Sequence, residues 1–376
     1  MIYLDYSATT PVNPQVLESF NKTSLEYIGN PNSLHKLGNT SHKLMDAATK
    51  QVSELLNVNA NEIIFTSGAS ESNNLAIFGV INQYKNRGKH IVTTKLEHSS
   101  ILSGMNYLKQ NGYIIDYVKV KENGEIDLDD LKRLVTNETI LVSICEVNSE
   151  IGIMQNVNEI GLYLRKFPRC IFHVDGTQAV GKKKIDLSNI DLYSFSGHKI
   201  YGLKGIGCLV KKQGIELTPI IHGGKSQTIY RSGTPSLALM VSLAKALKIV
   251  LEDFDKKHNY VNGLKNKLID GLKNIDGITI NSNENCVPHI VNISIKDVKP
   301  ETMLHALEEN EIYVSTKTAC SSDSGISLSV YTLTKNEELA KSSIRISLSH
   351  LTNEKEIDIF LKVFQEKCQE LQSIRS

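Results

Sequence analysis

The segment SFSGHKIYGLKGIG, residues 194–207, places Lys199 directly after a short apolar run and within a glycine-rich turn. The run up to Ser196 predicts a buried strand, and Gly197 leaves room beside the backbone that follows. A lysine that forms a Schiff base needs this setting, because its amine must be held in place, partly shielded and able to lose its proton. A single lysine in such a turn is more often a solvated surface residue. The other motifs of the chain therefore have to distinguish a Schiff-base lysine from a surface lysine.

Apolar runs alternate with amphipathic helical stretches around this segment. Such alternation is typical of βα units and predicts a mostly parallel sheet with helices on both faces, with reactive groups at the strand ends. A long helical stretch then runs from about Ser236 towards Leu272. Shorter strands and a final helix over 354–371 predict a smaller α/β domain. The predicted strands of the larger sheet are 63–66, 90–94, 113–118, 140–144, 170–174, 192–196 and 205–210.

The composition is that of an ordinary globular protein. The 376 residues include 42 Lys and Arg against 41 Asp and Glu, for a net charge of +1. This balance argues against a nucleic acid or an anionic membrane as the main partner. We see no apolar run of membrane-spanning length and no secretory signal, so the cytoplasm is the expected compartment. The six cysteines show no CxxC spacing, and we therefore expect neither a metal site nor a disulfide framework.

Asp175 ends the predicted strand CIFHVD, and Gln178 follows three residues later. A carboxylate at the end of a buried strand is costly unless it has a cationic partner. The pyridinium nitrogen of pyridoxal phosphate is such a partner, and its protonation makes the ring an electron sink. The alternative is an Asp that caps the next helix, at about even odds for an isolated residue.

The motif FTSGASESNN at 65–74 predicts a strand, a glycine-containing turn and the start of a helix. Free backbone N–H groups and hydroxyls there favour a phosphate, with Ala69 and Ser70 as the expected contacts, although a capping box has a similar pattern. His98, in KLEHSS, follows the strand 90–94 and can stack on a planar ring or transfer protons. A lone loop histidine more often has no ligand.

Two further basic segments suit anions. RSGT at 231–234 places a hydroxyl in a flexible turn beside a basic residue, which suits a second phosphate contact, although an ordinary surface turn has the same composition. Arg345 lies within the strand-like SSIRISL, where its guanidinium needs an anion. A substrate carboxylate matches its bidentate geometry, and an internal ion pair with Asp or Glu is the alternative.

Cys320 lies in VSTKTACSSDSGISLS, 314–329, whose polar composition predicts an exposed, mobile loop. As a thiolate, a cysteine on such a loop is a strong nucleophile that can enter a site and leave it again. Lys317 nearby favours the thiolate. The alternative is an incidental loop cysteine.

In their order along the chain, these motifs resemble those of the cysteine desulfurases of the NifS/IscS type, in the class V aminotransferase family. The resemblance covers nearly the whole sequence. It rests on YLDYSATTP (3–11), GNPNSLH (29–35), FTSGASESNNLAI (65–77), TKLEHSSIL (94–102), VNSEIG (147–152), HVDGTQAVGK (173–182), SFSGHKIYGLKGIG (194–207), RSGT (231–234), TAC (318–320) and SSIRISL (342–348).

The resemblance implies a homodimer with fold type I of the pyridoxal-phosphate-dependent transferases, an α/β fold with a mostly parallel, seven-stranded-type sheet in a large domain. We expect the large domain over 14–255, and a small α/β domain formed by 1–13 and 256–376. The small domain would carry the Cys320 loop.

The resemblance also implies roles at the cofactor ring. Lys199 would hold pyridoxal 5'-phosphate and shuttle protons, and His98 would stack on the ring and assist acid–base steps. Asp175 would pair with the ring nitrogen and Gln178 with the ring hydroxyl. The residues expected to cradle the phosphate are Ala69, Ser70, Ser196, His198 and, from the other subunit, Thr234.

At the substrate end, Arg345 and Asn30 would hold the carboxylate of L-cysteine. Cys320 would attack the substrate sulfur, which gives L-alanine and an enzyme persulfide. The persulfide would pass to an acceptor protein, such as an Fe–S scaffold or a thiolation protein, for Fe–S cluster, thio-cofactor or tRNA biosynthesis. The sequence does not name that acceptor.

Three sequence departures separate the chain from the usual pattern, one of them a slightly shorter segment between Cys320 and Arg345 than in the housekeeping type. Ser149 stands where the family often has an asparagine that touches the cofactor, so we expect a weaker or altered contact there. Lys317-Thr318 replaces a usual Gly-Ser before Ala-Cys, which we expect to stiffen the loop. Selenocysteine lyase or another class V enzyme, which would not need Cys320, and a non-catalytic paralogue remain the alternatives.

Overall fold

The computed structural model describes residues 1–316 and 325–373. Its strands are β1 (Ile2–Tyr3), β2 (Ile63–Thr66), β3 (His90–Thr93), β4 (Ile114–Tyr117), β5 (Thr139–Cys145), β6 (Ile171–Asp175), β7 (Leu192–Ser196), β8 (Gly207–Lys211), β9 (Ile278–Ile280), β10 (Ile290–Ile295), β11 (Ile312–Tyr313) and β12 (Ser343–Ser347). Its helices are α1 (Pro14–Glu26), α2 (Lys36–Leu55), α3 (Ala69–Gln83), α4 (Ser99–Gln110), α5 (Leu128–Leu134), α6 (Val157–Leu164), α7 (Leu237–Leu251), α8 (Phe254–Leu272), α9 (Pro300–Glu308), α10 (Leu328–Thr334), α11 (Glu337–Lys341) and α12 (Glu354–Ser373). Across these described ranges, no helix has the length and apolar character needed to cross a membrane.

The large sheet has seven strands in the order β2-β8-β7-β6-β5-β3-β4. Only β8 runs antiparallel to its neighbours, β2 and β7, and the other pairs are parallel. All residues of β5, β6 and β7 are buried, as expected for strands covered on both faces. The predicted fold class, a mostly parallel α/β sheet, is confirmed.

Helices cover both faces of this sheet because its strands are apolar on both sides. One core cluster joins α2 and α7 to one face through residues such as Val52 and Leu243. A second joins α3 and α4 to the other face through residues such as Ile77 and Met105. This layering leaves the ends of the strands as the surface on which polar side chains can gather.

A smaller sheet, β12-β10-β9, is antiparallel and packs with α8, α9 and α12 around a core of its own. Ile2 and Leu4 of the N-terminus belong to this core, and β1 pairs with β11 in parallel. These contacts support the proposed division, in which 1–13 joins 256–376 as the small domain.

The long helical stretch predicted from Ser236 to Leu272 is wrong in one respect, because it is two helices. Asp253 between them adopts a left-handed backbone, with φ of 52°. Lys257 Nζ donates to the carbonyl oxygens of Ile249 and Glu252, both at 2.6 Å, and so satisfies the end of α7. Periodicity alone does not reveal such a two-residue break.

Candidate active site

A cavity of about 720 Å³ lies where strands of the large sheet end. The chain that follows β2, β3, β5, β6 and β7 lines it, as the topology leads one to expect. Ten residues selected from the sequence lie on its walls: Ala69, Ser70, His98, Ser149, Asp175, Gln178, Ser196, His198, Lys199 and Arg345.

Lys199 ends the short 3-10 turn Gly197–Lys199 that follows β7. Its Nζ donates to the carbonyl oxygens of Ser7 (2.6 Å) and Ala8 (2.7 Å). The same N-terminal segment, residues 5–10, also holds the turn, because Thr10 donates to the His198 carbonyl oxygen from its N–H and its hydroxyl, both at 2.9 Å. The Lys199 amine therefore lies fixed at the cavity wall.

Asp175 ends β6 and is buried, with 5% of its surface exposed. Its Oδ1 accepts a hydrogen bond from the Thr177 N–H (2.9 Å) within a turn, and because the described residues between β6 and β7 contain no helix, the helix-capping alternative is wrong. Its Oδ2 accepts from the Asn73 amide at 2.8 Å. Among the described residues the carboxylate has hydrogen-bond donors but no ion pair. A buried carboxylate of this kind suits a cationic group on a ligand.

Gln178 lies three residues after Asp175 and bridges two parts of the chain. Its Nε2 donates to the Ser7 carbonyl oxygen (2.9 Å), and its Oε1 accepts from Lys182 Nζ (2.6 Å). The first bond ties the cavity wall to the N-terminal segment. The second involves a buried lysine that sequence reasoning did not select.

His98 caps the N-terminus of α4, and its side chain lines the cavity. Its Nδ1 accepts from the Ser100 N–H at 3.1 Å, with the Ser100 hydroxyl 2.9 Å away. Because a backbone N–H can only donate, the neutral ring carries its proton on Nε2. Burial lowers the pKa of His98, the charge of Asp175 opposes this, and the charge of Lys199 adds to it. The ring is therefore held as a neutral donor.

Helix α3 begins at the cavity wall, with Ala69 and Ser70 in its first turn. Gly68 at the N-cap supplies no side-chain hydrogen bond to that turn. Ser196 lies beside it, since a Cβ built on Gly68 would be 3.8 Å from Ser196 Oγ. A Cβ on Gly207 would be 2.6 Å from Gly68 Cα, so glycine is needed for this close approach. A helix start of this kind, next to hydroxyls, suits an anion such as phosphate.

Arg345 lies on β12 and is 3% exposed. Its Nη2 donates to Asp5 Oδ1 (2.8 Å), so the internal ion pair considered from the sequence is present. Its Nη1 donates to the Ser149 carbonyl oxygen (2.9 Å). Its Nε is buried and has no partner among the described residues. The guanidinium therefore lies at the cavity wall with its Nε–H left for a ligand, besides the second N–H of each Nη.

Two selected residues lie elsewhere, and a third is not described. Asn30 and Thr234 line a separate cavity of about 460 Å³, beside the C-terminal end of α1 and the start of α7. Cys320, with Lys317-Thr318, lies outside the described residues. A role for Asn30 or Thr234 at the larger cavity therefore remains a prediction that needs a second copy of the chain.

Sequence reasoning missed four residues that shape the site, namely Asp5, Ser7, Asn73 and Lys182. Each lies inside one of the motifs quoted above, in YLDYSATTP, FTSGASESNNLAI or HVDGTQAVGK. Their position within those motifs was the only signal that could have identified these four residues. Nothing in the local sequence pattern indicates the long-range contacts that they make.

Three histidines at and beneath the cavity predict acid sensitivity. Burial and the nearby Lys199 lower the pKa of His198 to about 4, and burial lowers the pKa values of His98 and His173. An unfolded histidine protonates near pH 6.5, so the unfolded state binds more protons below that value and stability is lost as the pH falls. In urea unfolding of the cofactor-free protein from pH 7 to 4.5, we expect the free energy of unfolding to fall steadily below pH 6.5.

His173 allows a matched test, because it is fully buried between Ser143 Oγ and Ser194 Oγ, both at 2.9 Å. We expect His173→Gln to reduce the slope of the free energy of unfolding against pH by about 1.4 kcal/mol per pH unit, the contribution of one histidine. Equal slopes in the two proteins would contradict this assignment.

Comparison with known proteins identifies relatives of this chain. The family model described as Aminotransferase class-V matches residues 2–360. "Cysteine desulfurase IscS" of Salmonella paratyphi C (strain RKS4594) is 42% identical over 382 residues, covering 99% of this chain and 94% of that protein. A NifS/IcsS protein homolog of Lactobacillus delbrueckii subsp. bulgaricus is 39% identical, covering 100% and 99%. A solved NifS-like protein superposes with a TM-score of 0.93 at 34% identity, covering 98% of this chain and 99% of that one.

Proposed function

The chain belongs to the class V aminotransferase family and, within it, to the cysteine desulfurases of the NifS/IscS type, and from this we propose that it is a sulfurtransferase that removes sulfur from L-cysteine. The products are L-alanine and a persulfide on Cys320, which is passed to an acceptor protein. The observation that carries the proposal is one cavity that holds Lys199, Asp175, Gln178, His98 and Arg345 together.

The cavity residues fit pyridoxal 5'-phosphate. Three residues on its walls, Ser7, Thr177 and Arg345, each have a buried polar atom without a partner among the described residues. Buried polar groups are normally hydrogen-bonded, so these atoms suit a polar ligand. The α3 start suits a phosphate, and the Asp175 carboxylate suits a protonated ring nitrogen.

The cofactor, when bound, supplies an electron sink that stores the electrons released at the substrate Cα. Lys199 is placed to hold the cofactor and then to move the Cα proton, because its Nζ lies on the cavity wall. The Nε2–H of His98 is a donor towards the cavity. Ser149 contributes its carbonyl oxygen to Arg345 and is itself in the cavity wall, where it takes the place of the usual asparagine.

Arg345 is proposed to bind the substrate carboxylate. Its Nε is available, and the pair with Asp5 holds the guanidinium plane in place. Because Asp5 already occupies Nη2, we propose that the substrate carboxylate either shares the guanidinium with Asp5 or displaces it.

We also propose a homodimer. Three large apolar side chains, Leu25, Ile28 and Leu34, are 79%, 75% and 94% exposed within ten residues of chain, which is unusual for a free surface. Leu25 lies in the last turn of α1, and Ile28 and Leu34 lie on either side of Asn30 along the chain. A second copy covering this face would bring Asn30 and Thr234 towards a neighbouring site, as the resemblance implies.

The cytoplasm remains the proposed compartment, with no nucleic acid or membrane as partner.

The test is product analysis with the protein loaded with pyridoxal 5'-phosphate. With L-cysteine and a thiol reductant, we expect alanine and sulfide in equal amounts, the reductant being oxidised to its disulfide. Pyruvate with sulfide would indicate elimination instead. No bound-cofactor absorbance and no product would support a non-catalytic paralogue. A strong preference for L-selenocysteine would support the lyase alternative.

A further inference from the structure

Lys182 is a buried lysine to which the proposed chemistry assigns no role. It is 6% exposed, and its Nζ donates to Gln178 Oε1 at 2.6 Å. Among residues 1–316 and 325–373 it forms no ion pair. Burial, together with the nearby cations Lys199 and Arg345, lowers its pKa to about 7. A buried amine without a counter-ion costs stability, so packing does not account for it.

This contact and one to the Ser7 carbonyl oxygen together determine which way the Gln178 amide points. The charged form of the Lys182 amine can only donate and the Ser7 carbonyl oxygen can only accept, whereas an amide has one accepting end and one donating end. With Oε1 held by Lys182, the NH2 end of Gln178 lies towards Ser7, whose carbonyl oxygen it contacts at 2.9 Å. That bond uses one of its two hydrogens. The second is left for a ligand in the cavity, because Gln178 is part of the cavity wall.

We propose that Lys182 is a positioning residue that locks the Gln178 amide with its NH2 group towards the cavity, where it donates to the ring oxygen of the cofactor. The inference rests on the proposed function, because it needs the cofactor in this cavity. A reversed amide would place Oε1 against an anionic ring oxygen, which repels it. Donation to that oxygen instead stabilises its charge and weakens its hold on the proton of the nearby lysine–cofactor linkage.

The measurement is the pH at which the visible absorbance of the lysine-bound cofactor changes, together with the dissociation constant of pyridoxal 5'-phosphate. Lys182→Met is expected to raise the apparent pKa of this absorbance by about one unit and to weaken cofactor binding about tenfold, the effect of losing one hydrogen bond to a charged oxygen. Lys182→Gln, which retains a neutral donor, is expected to shift the absorbance pKa in the same direction by a smaller amount.

Lys184 is the matched control. It lies two residues away, is 74% exposed and pairs with Asp255 on the surface at 2.9 Å. Lys184→Met is expected to leave both the absorbance pKa and the cofactor affinity unchanged. Thermal unfolding of the cofactor-free variants checks that each one folds.

A double-mutant cycle separates positioning from a simple charge effect. In a Gln178→Leu background, Lys182→Met is expected to cause little further change, since the amide through which it acts is gone. A full shift of the absorbance pKa in that background would overturn the inference alone. So would the absence of a shift in both Lys182 variants with Gln178 retained, when the wild-type protein shows normal absorbance. A wild-type protein that acquires no absorbance from added cofactor would overturn the proposed function and this inference with it.

Discussion

Lys199→Ala is expected to abolish covalent attachment of the cofactor and to lower alanine formation from L-cysteine by about 1,000-fold or more. The Lys199 amine lies on the cavity wall and is held by the carbonyl oxygens of Ser7 and Ala8. Lys182 cannot replace it, because its amine is buried against Gln178. The measurements are the visible absorbance after dialysis and the alanine released from the loaded protein.

Lys204 supplies the control, because it is a second lysine on the wall of the same cavity. Lys204→Ala is expected to retain covalent attachment. Borohydride reduction of the loaded wild-type protein, followed by peptide mass spectrometry, should mark the peptide that contains Lys199. A label on Lys204 instead, or dialysis-resistant absorbance in Lys199→Ala, would show that the attachment site is wrong.

Local pattern was sufficient to predict which side chains gather at the sheet edge. Asp175 and Ser196 end strands whose apolar runs are visible in the sequence, and His98 follows a third. Parallel strands deliver their ends to one edge, so convergence follows from topology once the strands are recognised.

The contacts that hold those side chains could not be predicted in this way. Ser7 meets Gln178 across 171 residues and Lys199 across 192, and Asp5 meets Arg345 across 340. The N-terminal segment that makes these contacts has no periodic pattern, because its polar groups bond to distant parts of the chain rather than to a regular ladder. Such pairings depend on how the small domain packs against the large one.

Lys182 shows a second limit of prediction from the sequence. The run Lys182, Lys183, Lys184 is typical of a solvated surface, and Lys184 behaves accordingly. Lys182 is buried and directly follows Gly181, whose φ is 74° and where a Cβ would lie 2.4 Å from Val250 Cγ2. Composition cannot distinguish the buried lysine from the exposed one.

The cysteines seen in the structure are poorly suited to nucleophilic attack. Burial raises the pKa of each of their thiols, which suppresses the reactive thiolate. These buried cysteines are Cys145, Cys170, Cys208, Cys286 and Cys368. Cys145 does line the cavity, but its Sγ donates to the Leu96 carbonyl oxygen at 3.3 Å, and the Glu97 carboxyl beside it disfavours a negative charge.

Cys320 lies outside the described residues, yet its tether to the site is short. Ser315 lines the cavity, and its backbone is hydrogen-bonded to that of Arg345 in both directions, at 3.1 and 2.7 Å. Cys320 is the fifth residue after Ser315 along the chain, and five residues of extended chain span up to about 17 Å. This length of chain is compatible with the proposed attack of the Cys320 thiol on a substrate held by Arg345.

Cys320→Ser is accordingly expected to lower alanine formation about 1,000-fold or more, because a serine hydroxyl cannot take the substrate sulfur as a persulfide. The absorbance of the bound cofactor should persist, since Lys199 and its contacts are unchanged. Mass spectrometry of the wild-type protein after cysteine addition should show one added sulfur atom on the peptide containing Cys320, with Cys170→Ser as the matched control that retains it. Alanine formation within about twofold of wild type in Cys320→Ser would show that the sulfur leaves without this nucleophile, as in a lyase, and that the assignment of Cys320 is wrong.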